Sequence, residues 1–360
     1  MFNILDRYIL KKFLGTFFYA IGVIIVITVV FDISEKVDDF IEHSLSLRAI
    51  LFDYYIYFIP YFANLFSPLF LFVSVIFFTA KMASDTEIVA ILSSGVSFKR
   101  MLWPYFLGSL IIATMTMVLS NFVIPEANKG RIEFENTYIN SKYRNYGRHQ
   151  HYQIEPGTFI YFDSFSSERM VGYKFSMEKF DGEGELTYKL ISDHIRWDTT
   201  KTEWTVAKYY IRHFKGGKER IEEGEKLDTT YAFHPSDFGK RLKMVEAMNY
   251  YELNEFIDGE KMKGSDHLSY FMIEKYRRFS MPFATFILTL IAVSISSRKV
   301  RGGVGMHIGI GILLSFTYIM FMQVSQTFAL ESSMPALLAV WIPNFAFGIL
   351  GVVLLVKAPK

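Results

Sequence analysis

Phe13-Leu-Gly-Thr-Phe-Phe-Tyr-Ala-Ile-Gly-Val-Ile-Ile-Val-Ile-Thr-Val-Val-Phe31 runs for 19 positions without a charge. A stretch that is apolar on every face suits lipid rather than the surface of a soluble core. As an α-helix it rises about 28 Å, close to the thickness of a bilayer's hydrocarbon. Lys11 and Lys12 precede it, and an acidic stretch from Asp32 to Glu42 follows. Its apolar core is too long for a secretory signal and no small-residue cleavage site follows, so it is expected to stay as a span. Working outward, residues 54–80, 101–125, 279–297, 302–330 and 332–356 are also uncharged, which predicts six transmembrane helices.

The charges sit elsewhere: of the 74 in this 360-residue chain, 51 lie between Glu126 and Arg278. A purely soluble protein is excluded. A net charge of +2 gives no reason to expect nucleic acid, and the absence of cysteine removes disulfides, cysteine-zinc sites and thiol nucleophiles. With the N-terminus cytoplasmic, the cytoplasmic segments carry 11 Lys and Arg against two, Lys36 and Arg48, in the short external loops. That asymmetry predicts both termini inside and the charged insert outside. The expected domains are residues 1–125 with three spans, residues 126–270 outside, and residues 271–360 with three more.

Within the insert, apolar and polar residues alternate in short runs: Phe159, Tyr161 and Asp163, then Tyr173, Phe175 and Met177, then Ile195 and Trp197. Period two is the strand signature. Asp198 to Glu203, Asp181-Gly-Glu-Gly184 and Gly216-Gly217 read as turns, and several short strands at this spacing fit a β-sandwich or jelly roll. Residues 126–140 read as a helical extension of the third span, and residues 251–257 as a short helix.

Enzyme signatures are missing. There is no phosphate loop, H-E-x-x-H, G-x-S-x-G or dinucleotide fingerprint, so the chain has no such machinery for hydrolysing ATP. His149 and His151 share a strand face that could chelate a metal, but without a nearby carboxylate they read as surface residues, and no metal site is expected.

Residues 81–100 read as a separate amphipathic helix on the cytoplasmic side. Ser84 with Glu87 would form a capping box, Asp85 suits the first turn, Gly95 suits a left-handed stop, and Ile88, Ile91 and Leu92 share a stripe that must bury. The stripe packs either on the chain's own helix ends or on a soluble partner. Lys275, Arg277 and Arg278 stand just outside the fourth span, where basic residues are disfavoured. Lipid phosphates or Glu274 would offset them, as would a specific anionic ligand, with Lys36 a weaker member of the set. Helical arithmetic puts Lys275 and Arg278 on one face and Arg277 away from it, so the first two are expected to act together. Gly305 and Gly309 form a G-x-x-x-G suited to a close helix seam, within the chain or with another subunit; Pro60, Asn64, Pro68 and Pro343 are hinges or tolerated kinks.

With these residues in view, the chain resembles the lipopolysaccharide export permeases of the LptF/LptG (YjgP/YjgQ) family. The resemblance rests on Leu5-Asp-Arg-Tyr-Ile9, Asp85-Thr-Glu-Ile-Val-Ala-Ile-Leu-Ser-Ser-Gly95, Pro125, Pro282-Phe-Ala-Thr-Phe286 and Ser297-Arg-Lys-Val-Arg-Gly-Gly303. It covers essentially the whole chain. It implies a bacterial inner-membrane protein with six helices and a periplasmic β-jelly roll between helices 3 and 4. It implies assembly with a second LptF/LptG-type permease on an LptB-like ATPase dimer, which would use the ATP and Mg, this chain binding no cofactor. LptC-like and LptA-like periplasmic proteins and lipopolysaccharide complete the expected partners. Residues 84–95 would then be the coupling helix, with Asp85, Glu87, Ile88, Ile91 and Leu92 engaging the ATPase. Helices 1 and 5 would line the seam between permeases, and Lys36, Lys275, Arg277 and Arg278 would meet the glycolipid. Competing readings are an ABC permease for another lipid or lipoprotein, a non-transport scaffold, and a lipid-modifying enzyme, for which no convergent acid, base or nucleophile is found.

Overall fold

The computed structural model describes residues 3–139, 148–166, 169–235, 242–262, 264–265, 267–300, 302–332 and 334–358. Among them, six helices are long and apolar enough to cross a membrane. These are α1 (Ile4–Glu42), α2 (Leu47–Ser84), α4 (Phe98–Ile139), α6 (Leu268–Ser296), α7 (Gly303–Glu331) and α8 (Ala336–Val356). The short α3 (Glu87–Ser93) joins α2 to α4, and α5 (Tyr250–Met262) precedes α6. Residues such as the β-branched run of α1 are indifferent helix formers in water. In hydrocarbon, however, only a helix or a closed barrel satisfies the backbone, and the choice is no longer set by propensity.

The chain divides into two compact units. One is Met1–Ile139 with Val245–Tyr250 and Ser269–Lys360; the other is Asn140–Met244 with Tyr251–Leu268. In the helical unit α1 packs on α2 and α4, α2 on α7, and α7 on α8. The core gathers Phe13, Phe72, Tyr105, Ile112, Leu288 and Tyr318, all buried. Phe13 lies directly on Gly108, where a Cβ would stand 2.2 Å from its ring, so the close approach of α1 and α4 depends on that glycine. Pro343 cannot donate to the carbonyl of Ala339, and Ser325 Oγ of α7 supplies the missing bond at 2.6 Å. Three π-helical segments, Ile50–Tyr55, Leu119–Val123 and Glu135–Ile139, interrupt α2 and α4 and have no counterpart in the sequence reading.

The second unit is a jelly-roll-like insert between the third and fourth spans, built on a six-stranded antiparallel sheet ordered β1-β2-β3-β4-β5-β6. Its strands are β1 (Arg148–Glu155), β2 (Thr158–Ser166), β3 (Val171–Phe180), β4 (Leu186–Asp198), β5 (Glu203–Lys215) and β6 (Lys218–Thr229). The expected turns are where the spacing puts them. Asp198 pairs with Glu203, and the Asp198 carboxylate accepts the backbone N–H of Thr200 and of Lys201. Gly216 and Gly217 stand at φ 56° and 72° between the paired Lys215 and Lys218, the two-residue turn that demands left-handed residues. Alternate residues, among them Phe162, Phe175, Leu190 and Trp204, form the apolar face, and Trp204 Nε1 donates to Phe233 O at 2.9 Å.

Candidate functional site

α2 closes at Ser84 with Asp85 as its cap, and α3 opens at Glu87. Between them Thr86 stands at φ 65°. A β-branched residue in the left-handed region carries about 1–3 kcal/mol of strain, and that reversal lets α3 start immediately after α2. The capping box expected of Ser84 and Glu87 does not form, because Ser84 belongs to the last turn of α2 and Glu87 faces α1. There Glu87 accepts from the Tyr8 hydroxyl at 2.8 Å and sits 3.1 Å from Lys12 Nζ. Gly95, at φ 88°, follows the helix as expected. Beyond it, Arg100 forks onto Asp6 of α1 with two hydrogen bonds of 2.6 Å; Asp6 is buried. Two ion pairs therefore hold α1 to both flanks of the segment that carries α3.

The apolar stripe of α3 is covered within the chain: Ile88 is buried, and Ile91 and Leu92 pack on the same core. The joint before α3 and α3 itself present outward Asp85, Thr86, Val89, Ala90 and Ser93, a small and nearly uncharged surface on which Val89 is 58% exposed.

At the opposite ends of the helices the basic residues meet different fates. Lys36 is 2.8 Å from Asp32 and 3.6 Å from Glu135, and donates to Tyr54. Asp32 also accepts from Tyr54 and Tyr55, which stand at the end of the first π segment. Arg278 is buried, with Nε on Glu274 at 3.0 Å and its two terminal nitrogens donating to the carbonyls of Met248 and Val245, both at 2.7 Å. Arg277 also bonds Glu274 but is 35% exposed. Lys275 is half-buried and makes no hydrogen bond or ion pair among the described residues. The expected pairing of Lys275 with Arg278 is thus not what the geometry offers: Arg278 is committed inside the protein, and Lys275 and Arg277 are the side chains open to a ligand. Arg131, within reach of Glu246 at 4.0 Å, stacks on Tyr61 beside them.

A Cβ placed on Gly305 or Gly309 meets nothing within 4 Å, so their G-x-x-x-G face is not used for packing inside this chain. α1 and α7 are also the least buried spans, at 17% and 22% of their apolar windows. In the sheet unit a depression of about 890 Å³ is floored by Phe175, Tyr209 and Tyr210 but rimmed by Lys174, Lys189, Asp193 and Glu223, a mixed rather than a purely apolar groove. Nearby, the Arg212 guanidinium holds the Glu219 carboxyl below the usual carboxylate range. His149 lies in β1 with its side chain outside the described residues, while the His151 ring packs on Tyr161. No group of three metal-ligating side chains occurs among the described residues.

Comparison with curated proteins returned no match. The family model described as lipopolysaccharide export system permease LptF/LptG matches residues 7–357, nearly the whole chain. The six spans, the strand-built insert between the third and fourth, and that match together place the chain in the LptF/LptG family of lipopolysaccharide export permeases.

Proposed function

We propose that this chain is one permease subunit of an ATP-driven exporter that draws the glycolipid from the outer leaflet of the inner membrane and passes it through the sheet domain to a periplasmic bridge. In this reading both termini and α3 face the cytoplasm and the sheet domain is periplasmic, as the distribution of Lys and Arg favours. An LptB-like ATPase dimer docks on the outward surface of α3, a second LptF/LptG-type permease meets the open faces of α1 and α7, and LptC-like and LptA-like proteins receive the glycolipid. Lys275 and Arg277 hold its phosphates, Lys36 being engaged by Asp32 and Glu135.

One observation carries the reading: α3 is tied to α1 by Glu87 with Lys12 and Tyr8, and its flank by Arg100 with Asp6. A push on α3 is therefore delivered to the least buried of the six spans. Energy input is required, because exposing the dozens of methylenes of a multi-chain lipid costs roughly 0.8 kcal/mol each, tens of kcal/mol in all. A scaffold without transport has no use for such a linkage.

Purification of the full chain from its native membrane, followed by mass spectrometry of bound proteins and lipids, is expected to recover an ATPase and a phosphorylated glycolipid. Recovery of neither contradicts the proposal. Gly182→Cys, in a chain without native cysteine, is expected to react only from the periplasmic side. Labelling only from the cytoplasm overturns the orientation.

A further inference from the structure

A groove of about 960 Å³ lies between α4, α6 and α8, away from the α1 and α7 faces assigned to the second permease. Five side chains with a polar atom line it, and four are satisfied internally: Ser109 on Thr289 at 2.9 Å, Tyr105 with Thr79 at 3.1 Å, and Asn344 between Tyr318 and the Ser280 carbonyl; the fifth, Trp341, brings only an indole N–H. Among the described residues no buried side-chain polar atom of the groove lacks a partner, whereas the small cavity beside Asn64 and Thr116 is lined by polar atoms without partners. A dry, open, apolar groove in a membrane is filled by hydrocarbon.

Its length and its mouth specify which hydrocarbon. Along α8 the lining runs from Val353 to Trp341, twelve helical steps or about 18 Å, against about 15 Å for one leaflet's share of the hydrocarbon. The far end carries the cluster of Phe283, Trp341 and Phe345, with ring centroids 5.2 and 5.9 Å apart. At the near end, Lys357 follows Val353 by four residues and Lys99 precedes Leu102 by three, so each lysine stands one turn beyond a lining residue on its own helix. Both are exposed and neither has a hydrogen bond or ion pair among the described residues. Arg100 next door is already taken by Asp6.

We infer that this groove binds one anionic phospholipid of the leaflet on the side of the termini, with an acyl chain along α8 and the phosphate under Lys99 and Lys357. That this leaflet is the cytoplasmic one rests on the proposed orientation; the site itself does not.

The full chain reconstituted in phosphatidylcholine vesicles provides the test. Trp103→Phe leaves Trp341 as the one tryptophan within the spans, since Trp197 and Trp204 belong to strands. Chain-brominated phosphatidylglycerol is expected to quench Trp341 at least about five-fold more effectively than chain-brominated phosphatidylcholine, the preference that even one of the two interfacial lysines confers. Lys99→Glu with Lys357→Glu should erase the preference while leaving quenching by phosphatidylcholine, which also reports that the spans remain folded. Gly348→Phe, which adds a ring on the groove wall, should weaken quenching by both lipids. Equal quenching by the two lipids in the parent would mean ordinary boundary lipid, and a preference that survives charge reversal would remove the lysines; either overturns the inference. Absence of quenching by both lipids would mean protein covers the groove, and it overturns the inference as well. Failure of the orientation is read separately, from labelling at Gly182→Cys.

Discussion

Thr86 and Glu87 are neighbours with opposite energetics, one strained and one doubly bonded. Thr86→Gly removes the left-handed penalty, about 1–2 kcal/mol, and is expected to raise the midpoint of thermal unfolding in detergent. The same change loosens the joint between α2 and α3, so glycolipid released per ATP should fall; measuring both on one preparation checks the pair of effects. At the other membrane face, Glu274 is the shared acceptor of Arg277 and Arg278. Glu274→Ala strands a buried guanidinium and should cost about 3–5 kcal/mol in an unfolding titration. Lys275→Ala with Arg277→Ala leaves that pair with Arg278 in place. It should lower photocrosslinking to the glycolipid with little change in stability.

Among the elements, the hairpin turn of β4 and β5 gives a prediction with a pH sign. The backbone N–H groups of Thr200 and Lys201 hold the Asp198 carboxyl below its ordinary value of 3.8. A carboxyl depressed in the folded state contributes stability above its unfolded value and loses it as pH falls through the folded one. Asp198→Ala should therefore lower the sheet's unfolding midpoint at neutral pH, with the gap closing as acid takes the carboxyl through its depressed folded value. Gly216→Ala with Gly217→Ala should cost about 1–2 kcal/mol per residue at the tighter turn between β5 and β6. These turns were readable because Gly and Asp act on their own backbone, and the spans were readable because a bilayer demands long uncharged runs. The readings that missed depend on distant residues. Ser84 and Glu87 have capping-box spacing, but Lys12 and Tyr8, 75 and 79 positions away, claim the carboxylate. Helical arithmetic set Lys275 and Arg278 together and Arg277 apart, but Glu274 takes both arginines and the carbonyls of Val245 and Met248 hold Arg278 inside. The π segments left no periodicity that apolar sequence could reveal.

For the whole molecule, the proposed function makes the helical unit half of a two-permease assembly driven from one end. Gly305→Leu with Gly309→Leu should leave the isolated chain folded, since both Cβ positions are open, and reduce recovery of the second permease on co-expression. The central claim is that motion reaches α1 through Glu87 and Lys12. Its most direct measurement is ATP-driven glycolipid release from vesicles holding the full complex, comparing Glu87→Lys, Lys12→Glu and the two together. Each single change is expected to suppress release while ATP hydrolysis continues, and the double exchange to recover most of it. Normal release in either single variant, or no recovery in the double exchange, would contradict that claim.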